Sequence, residues 1–200
     1  MKPISIVFAG PQGSGKGTQV ALLKEFLAKK GEAIVHGEAG ATFRGIIGSG
    51  SYAGKQIADT IDKGYLLPDV IPIYAFTREL FEKITTGSEH IILEGFSRKE
   101  IQAQMIDEIL KFFGRTDYAF VILEVPKEES LKRLTARAEI EKRVDDASQE
   151  SIERRLKLYY EEIATVTRVF EGRGQRVIHV DGLGSVEEVH QRMLKALQLA

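Results

Sequence analysis

The chain has 200 residues, 43% of them hydrophobic, with 28 basic against 29 acidic side chains and a formal net charge of −1. That length suits one compact domain with a real core, and the balanced charge gives no bulk field to draw the chain onto nucleic acid or an anionic membrane. Cysteine is absent, which excludes disulfides and thiolate metal sites, and the first apolar run, Ile4 to Ala9, is too short for a secretory core. The expectation is a cytoplasmic monomer with neither membrane nor nucleic acid as partner.

Ile4 to Ala9 reads as a buried parallel strand, and it leads directly into Gly10-Pro11-Gln12-Gly13-Ser14-Gly15-Lys16-Gly17-Thr18. A helical stripe of Val20, Leu23 and Leu27 follows. A glycine-rich turn between strand and helix lets backbone amides converge on phosphate oxygens, while the helix N-terminus adds a partial positive charge and Lys16 a full one. This context predicts an ATP-phosphate site. Gly17 stands where the general pattern has Ser or Thr, and the hydroxyl comes one residue later, at Thr18.

Ala33 to His36 forms a weaker strand candidate. Residues 37–64 then break the rhythm with seven glycines and only short helical patterns such as Tyr52 to Lys63, which predicts a mobile insert. The alternation resumes with a strand at His90 to Glu94, a helical stripe through Ile101, Met105 and Ile109, and a strand at Tyr118 to Val125. Arg133 and Arg137 lie four apart on a helical segment, where pairing with Glu129 or Glu141 is the plain alternative to a catalytic role. Ala138 to Lys142 is short and polar and reads as a small flap. A long stripe runs from Ile152 through Leu156, Tyr159, Ile163 and Val166 to Phe170, then a strand at Arg176 to Val180, and a last helix through Val186, Val189, Met193 and Leu197. Ser185 with Glu188 three residues on is a capping-box pattern for that helix. Asp145 and Asp146 read as acids that shape a hinge, with a favourable place at a helix N-terminus as the plain alternative, and the four histidines as packed or solvated groups rather than metal ligands. Strands alternating with helices predict an α/β fold of the P-loop NTPase type, a parallel five-stranded sheet flanked by helices, with ligands beyond the carboxyl ends of the strands.

The motifs in order resemble the adenylate kinase family of nucleoside monophosphate kinases, in its short-lid form. The resemblance rests on Gly15-Lys16-Gly17-Thr18-Gln19, on Ser49 to Lys55 followed by Gly64-Tyr65-Leu66-Leu67-Pro68-Asp69, on Glu94-Gly95-Phe96-Ser97-Arg98 with Gln102, and on Arg133, Arg137, Arg143 and Arg155. It implies an ATP site from Gly13, Ser14, Gly15, Lys16, Gly17, Thr18, Arg133, Arg137 and Gly184. It implies a monophosphate-binding insert at 37–67, a lid at 137–143, and an AMP site from Ala39, Arg44, Tyr65, Leu66, Leu67, Gly95, Phe96, Ser97, Arg98, Gln102, Arg143 and Arg155. Lys16, Arg98, Arg137, Arg143 and Arg155 would act on the transferring phosphate, with Mg2+ held by Thr18 and Glu94 through water. Fixed guanidinium forks suit this chemistry, because phosphoryl transfer spreads negative charge over oxygens and needs no covalent intermediate.

The implied activity is ATP + AMP = 2 ADP. The family pattern Ser-Thr-Gly-Asp is replaced by Glu38-Ala39-Gly40-Ala41, its Asp by Glu94 and its Pro by Ser97. Ala39 and the short lid keep a UMP/CMP kinase open. Ala41 and Glu94 keep open a nucleotide-binding regulatory protein with weak transfer.

Overall fold

The computed structural model describes residues 2–141 and 148–199, the backbone alone over 138–141. In chain order the elements are β1 (Ser5–Ala9), α1 (Lys16–Ala28), β2 (Ile34–Glu38), α2 (Ala39–Gly48), α3 (Tyr52–Ile61), α4 (Val70–Lys83), β3 (His90–Glu94), α5 (Glu100–Phe112), β4 (Ala119–Glu124), α6 (Lys127–Glu141), α7 (Gln149–Gly172), β5 (Arg176–Asp181) and α8 (Val186–Ala196).

The five strands form one parallel sheet in the order β2-β3-β1-β4-β5. Every parallel neighbour requires a crossover, so helices cover both faces, and the inner strands β1, β3 and β4 are buried on both sides while the edge strands β2 and β5 are partly exposed. The two-residue period of β1 shows the division. Ile6 and Phe8 pack with Leu23 and Leu27 of α1 and Met193 of α8, whereas Val7 and Ala9 pack with Phe76 and Leu80 of α4, Ile106 of α5 and Phe170 of α7. Truncating a buried Leu such as Leu23 in so dense an interior costs about 2–5 kcal/mol. Because β1 is central and the order reverses there, the turn after it opens into the crevice at the carboxyl edge, where ligands gather.

The glycine-rich insert is more regular than its composition suggests. Two helices, α2 and α3, occupy most of 39–61. Glycine inside a helix costs about 1 kcal/mol relative to alanine, and Gly40, Gly45 and Gly48 mask the pattern of α2 for that reason. Packing outweighs the cost: Phe43 and Ile57 are buried together, with Ile46, Ile47 and Ile61 against them. Gly54 permits this approach, since a Cβ there would collide with the carbonyl oxygen of Ile46 and come within 3.0 Å of the Ile47 Cα. The end of the insert is tied to the start of α7, where Arg154 donates to the Lys63 carbonyl at 2.5 Å and lies over the Tyr65 ring.

The expected flap at Ala138 to Lys142 differs too. Helix α6 continues through Glu141, carried by helix-favouring residues, while Lys142, Arg143, Asp145 and Asp146 lie outside the described residues. The capping box at Ser185 and Glu188 is present in both directions, at 3.2 and 2.8 Å. Among the described residues no helix is long and apolar enough to cross a membrane.

Candidate active site

The loop after β1 folds into a cradle. Gly13 has φ of +80°, and a Cβ there would lie 2.7 Å from the Ser130 carbonyl oxygen, so this position requires glycine for both conformation and space. Helix α1 starts from Gly15 with no side-chain cap and no acid in its first turn, leaving its N-terminal amides and dipole available for an anion. Thr18 lies on this first turn and is exposed. Lys16 Nζ folds back onto the carbonyl oxygens of Gly10 and Pro11 at 2.6 and 2.8 Å, with Ser14 Oγ at 3.4 Å. Burial, reinforced by the Arg98 and Arg137 guanidiniums and opposed by the Glu94 carboxylate, brings the Lys16 ammonium down from 10.5 to about 7. Three charged groups from separate segments therefore act on Lys16 in space: Glu94 from the end of β3, Arg98 from the turn after it, and Arg137 from α6.

Arg133 pairs with Glu129 at 2.7 Å, as the plain helix alternative foresaw, and also donates to the Gly182 carbonyl at 3.3 Å and toward that of Ser14 at 3.5 Å. It thus bridges the phosphate loop to the β5–α8 connection that carries Gly184, whose φ is +102°.

Beside the cradle lies a pocket of about 330 Å³ between the insert and the end of the sheet. Ala39, Arg44, Tyr65, Leu66, Leu67, Gly95, Arg98, Gln102 and Arg155 all line it, although they come from five separate segments. Arg44 donates to Glu38 at 2.8 Å, Arg98 Nε to the Gly95 carbonyl at 3.3 Å, and Arg155, nearly buried, to the Ser151 carbonyl at 3.4 Å. Phe96 and Ser97 are not in its wall. The Phe96 side chain is in the core, edge-on to Phe76 at 5.8 Å, and Ser97 is buried facing a separate void of about 20 Å³ beside Gln12 and Tyr159. Arg143 is outside the described residues.

The sequence reading missed the apolar wall of Phe43, Ile47, Ile61 and Pro72. Its signal was available in the i, i+4 spacing of Phe43 and Ile47, hidden by the neighbouring glycines. It also missed a polar link from β2: His36 Nε2 lies 3.0 Å from Glu94 Oε1, and His36 Nδ1 lies 3.3 Å from Lys24 Nζ. A lysine ammonium can only donate, so His36 accepts at Nδ1 and donates from Nε2 to Glu94. The remaining histidines pair as packed or solvated groups: His90 accepts at Nδ1 from the Ile4 amide and meets Glu32, His179 meets Glu124, and His190 lies near Gln19.

A family model described as adenylate kinase matches residues 8–175. Among curated proteins, the chain is similar to an adenylate kinase of Thermus thermophilus, at 34% identity over 193 residues covering 96% of each chain. It is also similar to one of Micrococcus luteus, at 37% identity over 194 residues covering 96% of this chain and 89% of the relative. A third, from Stenotrophomonas maltophilia, is 34% identical over 193 residues covering 96% of this chain and 98% of the relative.

Proposed function

The chain belongs to the adenylate kinase family, and on that basis we propose that it transfers the γ-phosphate of ATP reversibly to AMP. The observation that carries this reading is the position of Arg98, which lines the acceptor pocket and at the same time bears electrostatically on Lys16 in the phosphate cradle. A donor phosphate on the cradle and an acceptor phosphate in the pocket meet across that guanidinium, which suits in-line transfer.

In this reading Lys16 and the loop amides hold the β- and γ-phosphates, and Arg133 and Gly184 border the ATP base. Arg44 and Arg98 grip the acceptor phosphate, Gln102 reads its base, and the Tyr65 to Leu67 backbone lines the base pocket. Arg137, Arg143 and Arg155 close on the transferring group. No general base is required, because the attacking oxygen of a monophosphate is already ionised near neutral pH. The insert at 37–67 closes toward the phosphate loop when both nucleotides are bound, excluding water and letting phosphates neutralise the converging arginines.

The residues present fit Mg2+ held through water. Glu94 is an oxygen donor beside Lys16 at the sheet edge, oriented by His36, and the Thr18 hydroxyl is exposed on the first turn of α1. No group of three or more His, Cys, Asp or Glu able to enclose a metal exists among the described residues, which suits an ion that keeps several waters. The ion would neutralise the phosphate charge that develops during transfer.

Product formation with ATP and each of AMP, UMP, CMP and GMP tests the proposal. AMP is expected to be preferred. A preference for UMP or CMP would assign a pyrimidine acceptor and give Ala39 the deciding role, while ATP binding without product from any acceptor would replace transfer by regulation.

A further inference from the structure

Gln102 is 3% exposed, and both ends of its amide are engaged. Its Oε1 accepts from the Arg98 backbone N–H at 2.9 Å and its Nε2 donates to Asp69 Oδ1 at 2.8 Å. An amide flipped about its terminal bond would set oxygen against carboxylate and NH2 against N–H, exchanging two hydrogen bonds for two repulsions. Only one partner in this arrangement is a side chain. A backbone N–H can only donate, so Asp69 is the member that sequence variation can change.

Asp69 occupies the N-cap position of α4, where an acid ordinarily bonds to the helix's first amides. Here its backbone is already helical, φ −57° and ψ −32°, and its side chain makes no capping bond. The carboxylate turns instead to Gln102, with Lys99 Nζ 3.4 Å away as a counter-charge. After these contacts the Gln102 amide keeps one N–H and one carbonyl lone pair, and the residue lines the acceptor pocket.

We propose that Asp69 is a specificity-determining positioning residue: it locks the Gln102 amide in one orientation, so that the pocket accepts a base edge presenting donor and acceptor in the order of adenine and rejects the reversed order. This rests on the reading of the pocket as the acceptor-base site. The discriminating pair of acceptors is AMP and IMP, which have the same shape and charge. Adenine presents an amino donor and a ring-nitrogen acceptor, where hypoxanthine presents a carbonyl acceptor and a ring N–H donor. An amide free to turn would serve both.

The experiment compares kcat and KM for AMP and IMP in the parent, Asp69→Asn and Gln102→Leu, with melting temperature and the KM for ATP alongside. Asn keeps the volume but can either donate or accept, so both Gln102 orientations become satisfiable. The parent is expected to prefer AMP. In Asp69→Asn the AMP-to-IMP ratio of kcat/KM is expected to fall roughly ten-fold, chiefly through a lower KM for IMP, with the KM for ATP held. Asp69→Ala, which leaves the Gln102 amide without its acceptor, is expected to narrow the ratio in the same direction.

A ratio that survives both Asp69 substitutions while collapsing in Gln102→Leu overturns the proposal and leaves Gln102 as a reader that needs no lock. A ratio unmoved by Gln102→Leu as well overturns the acceptor-base reading beneath it. Equal losses for AMP and IMP together with a lower melting temperature would make Asp69 a support of α4 and also overturn the proposal.

Discussion

Lys16 Nζ sits 2.6 Å from the Gly10 carbonyl oxygen, so the ammonium bonds the backbone that precedes its own helix. Burial and the Arg98 and Arg137 charges bring this group down to about 7, and a nucleotide's phosphates would reverse that shift. At pH 8, where ATP is fully ionised, binding should take up about one proton per site, read by calorimetry in buffers of different ionisation enthalpy. Lys16→Gln should remove both the uptake and the turnover while keeping the fold; uptake that persists would assign the proton to another group.

The same group sets a pH dependence of stability. Between about 7 and 10.5 the unfolded chain binds the Lys16 proton while the folded chain has released it, so folded stability rises with pH across that window. Below the window both states are protonated and the full cost of the confined ammonium remains. Denaturant midpoints of the parent minus those of Lys16→Gln should therefore increase from pH 7 to pH 9.5, and a flat difference would contradict the shift.

Glu38 holds Arg44 at 2.8 Å inside the acceptor pocket's rim, and both side chains are partly exposed, so the pair itself is weak. With the pocket read as the acceptor site, an arriving phosphate dianion would compete with the carboxylate for that guanidinium. Glu38→Gln should lower the acceptor KM by about two- to five-fold, the scale of an exposed ion pair. A higher KM would show that Glu38 orients Arg44 for its substrate.

Asp107, on the inward face of α5, is fully buried and accepts from Tyr118 at 2.9 Å and from Lys111 and Arg173 at 2.8 Å each. Asp107→Ala leaves the Tyr118 hydroxyl and one end of Arg173 without their acceptor and should destabilise the fold by about 2–3 kcal/mol in urea titration. Tyr118→Phe removes one bond and should cost about 1 kcal/mol.

Gly54→Ala places a methyl against the α2 backbone, which cannot turn aside as a flexible side chain would. Forcing α2 and α3 apart should lower stability by about 1–3 kcal/mol and raise the acceptor KM, because Phe43 and Ile47 line the pocket from α2. An unchanged melting temperature would mean the two helices already sit farther apart in solution.

A mimic joining two adenosines through five phosphates should span cradle and pocket, protecting residues 37–64 from hydrogen exchange as well as the phosphate loop. ATP alone should protect mainly the loop. Equal exchange in the insert under both ligands would count against closure of the insert on the acceptor.

Some of this architecture is local and so was written in the sequence. The run from Ile4 to Thr18 encodes strand, turn and helix through nearest-neighbour chemistry, and the Ser185–Glu188 box needs only a three-residue spacing. The resemblance of the ordered motifs likewise points to the arginines and Gln102. Tertiary structure decided what depends on distance in space. Ala39, Tyr65, Gln102 and Arg155 share a pocket because crossovers bring their segments to one sheet edge, and no spacing along the chain encodes that meeting. Helix α2 forms because Phe43 finds an apolar partner in Ile57, an energy that outweighs glycine's poor helix propensity and is invisible until the two helices pack. Asp69 stands at the N-cap position of α4 without capping it. Only the fold brings the amide of Gln102, 33 residues on, to its carboxylate.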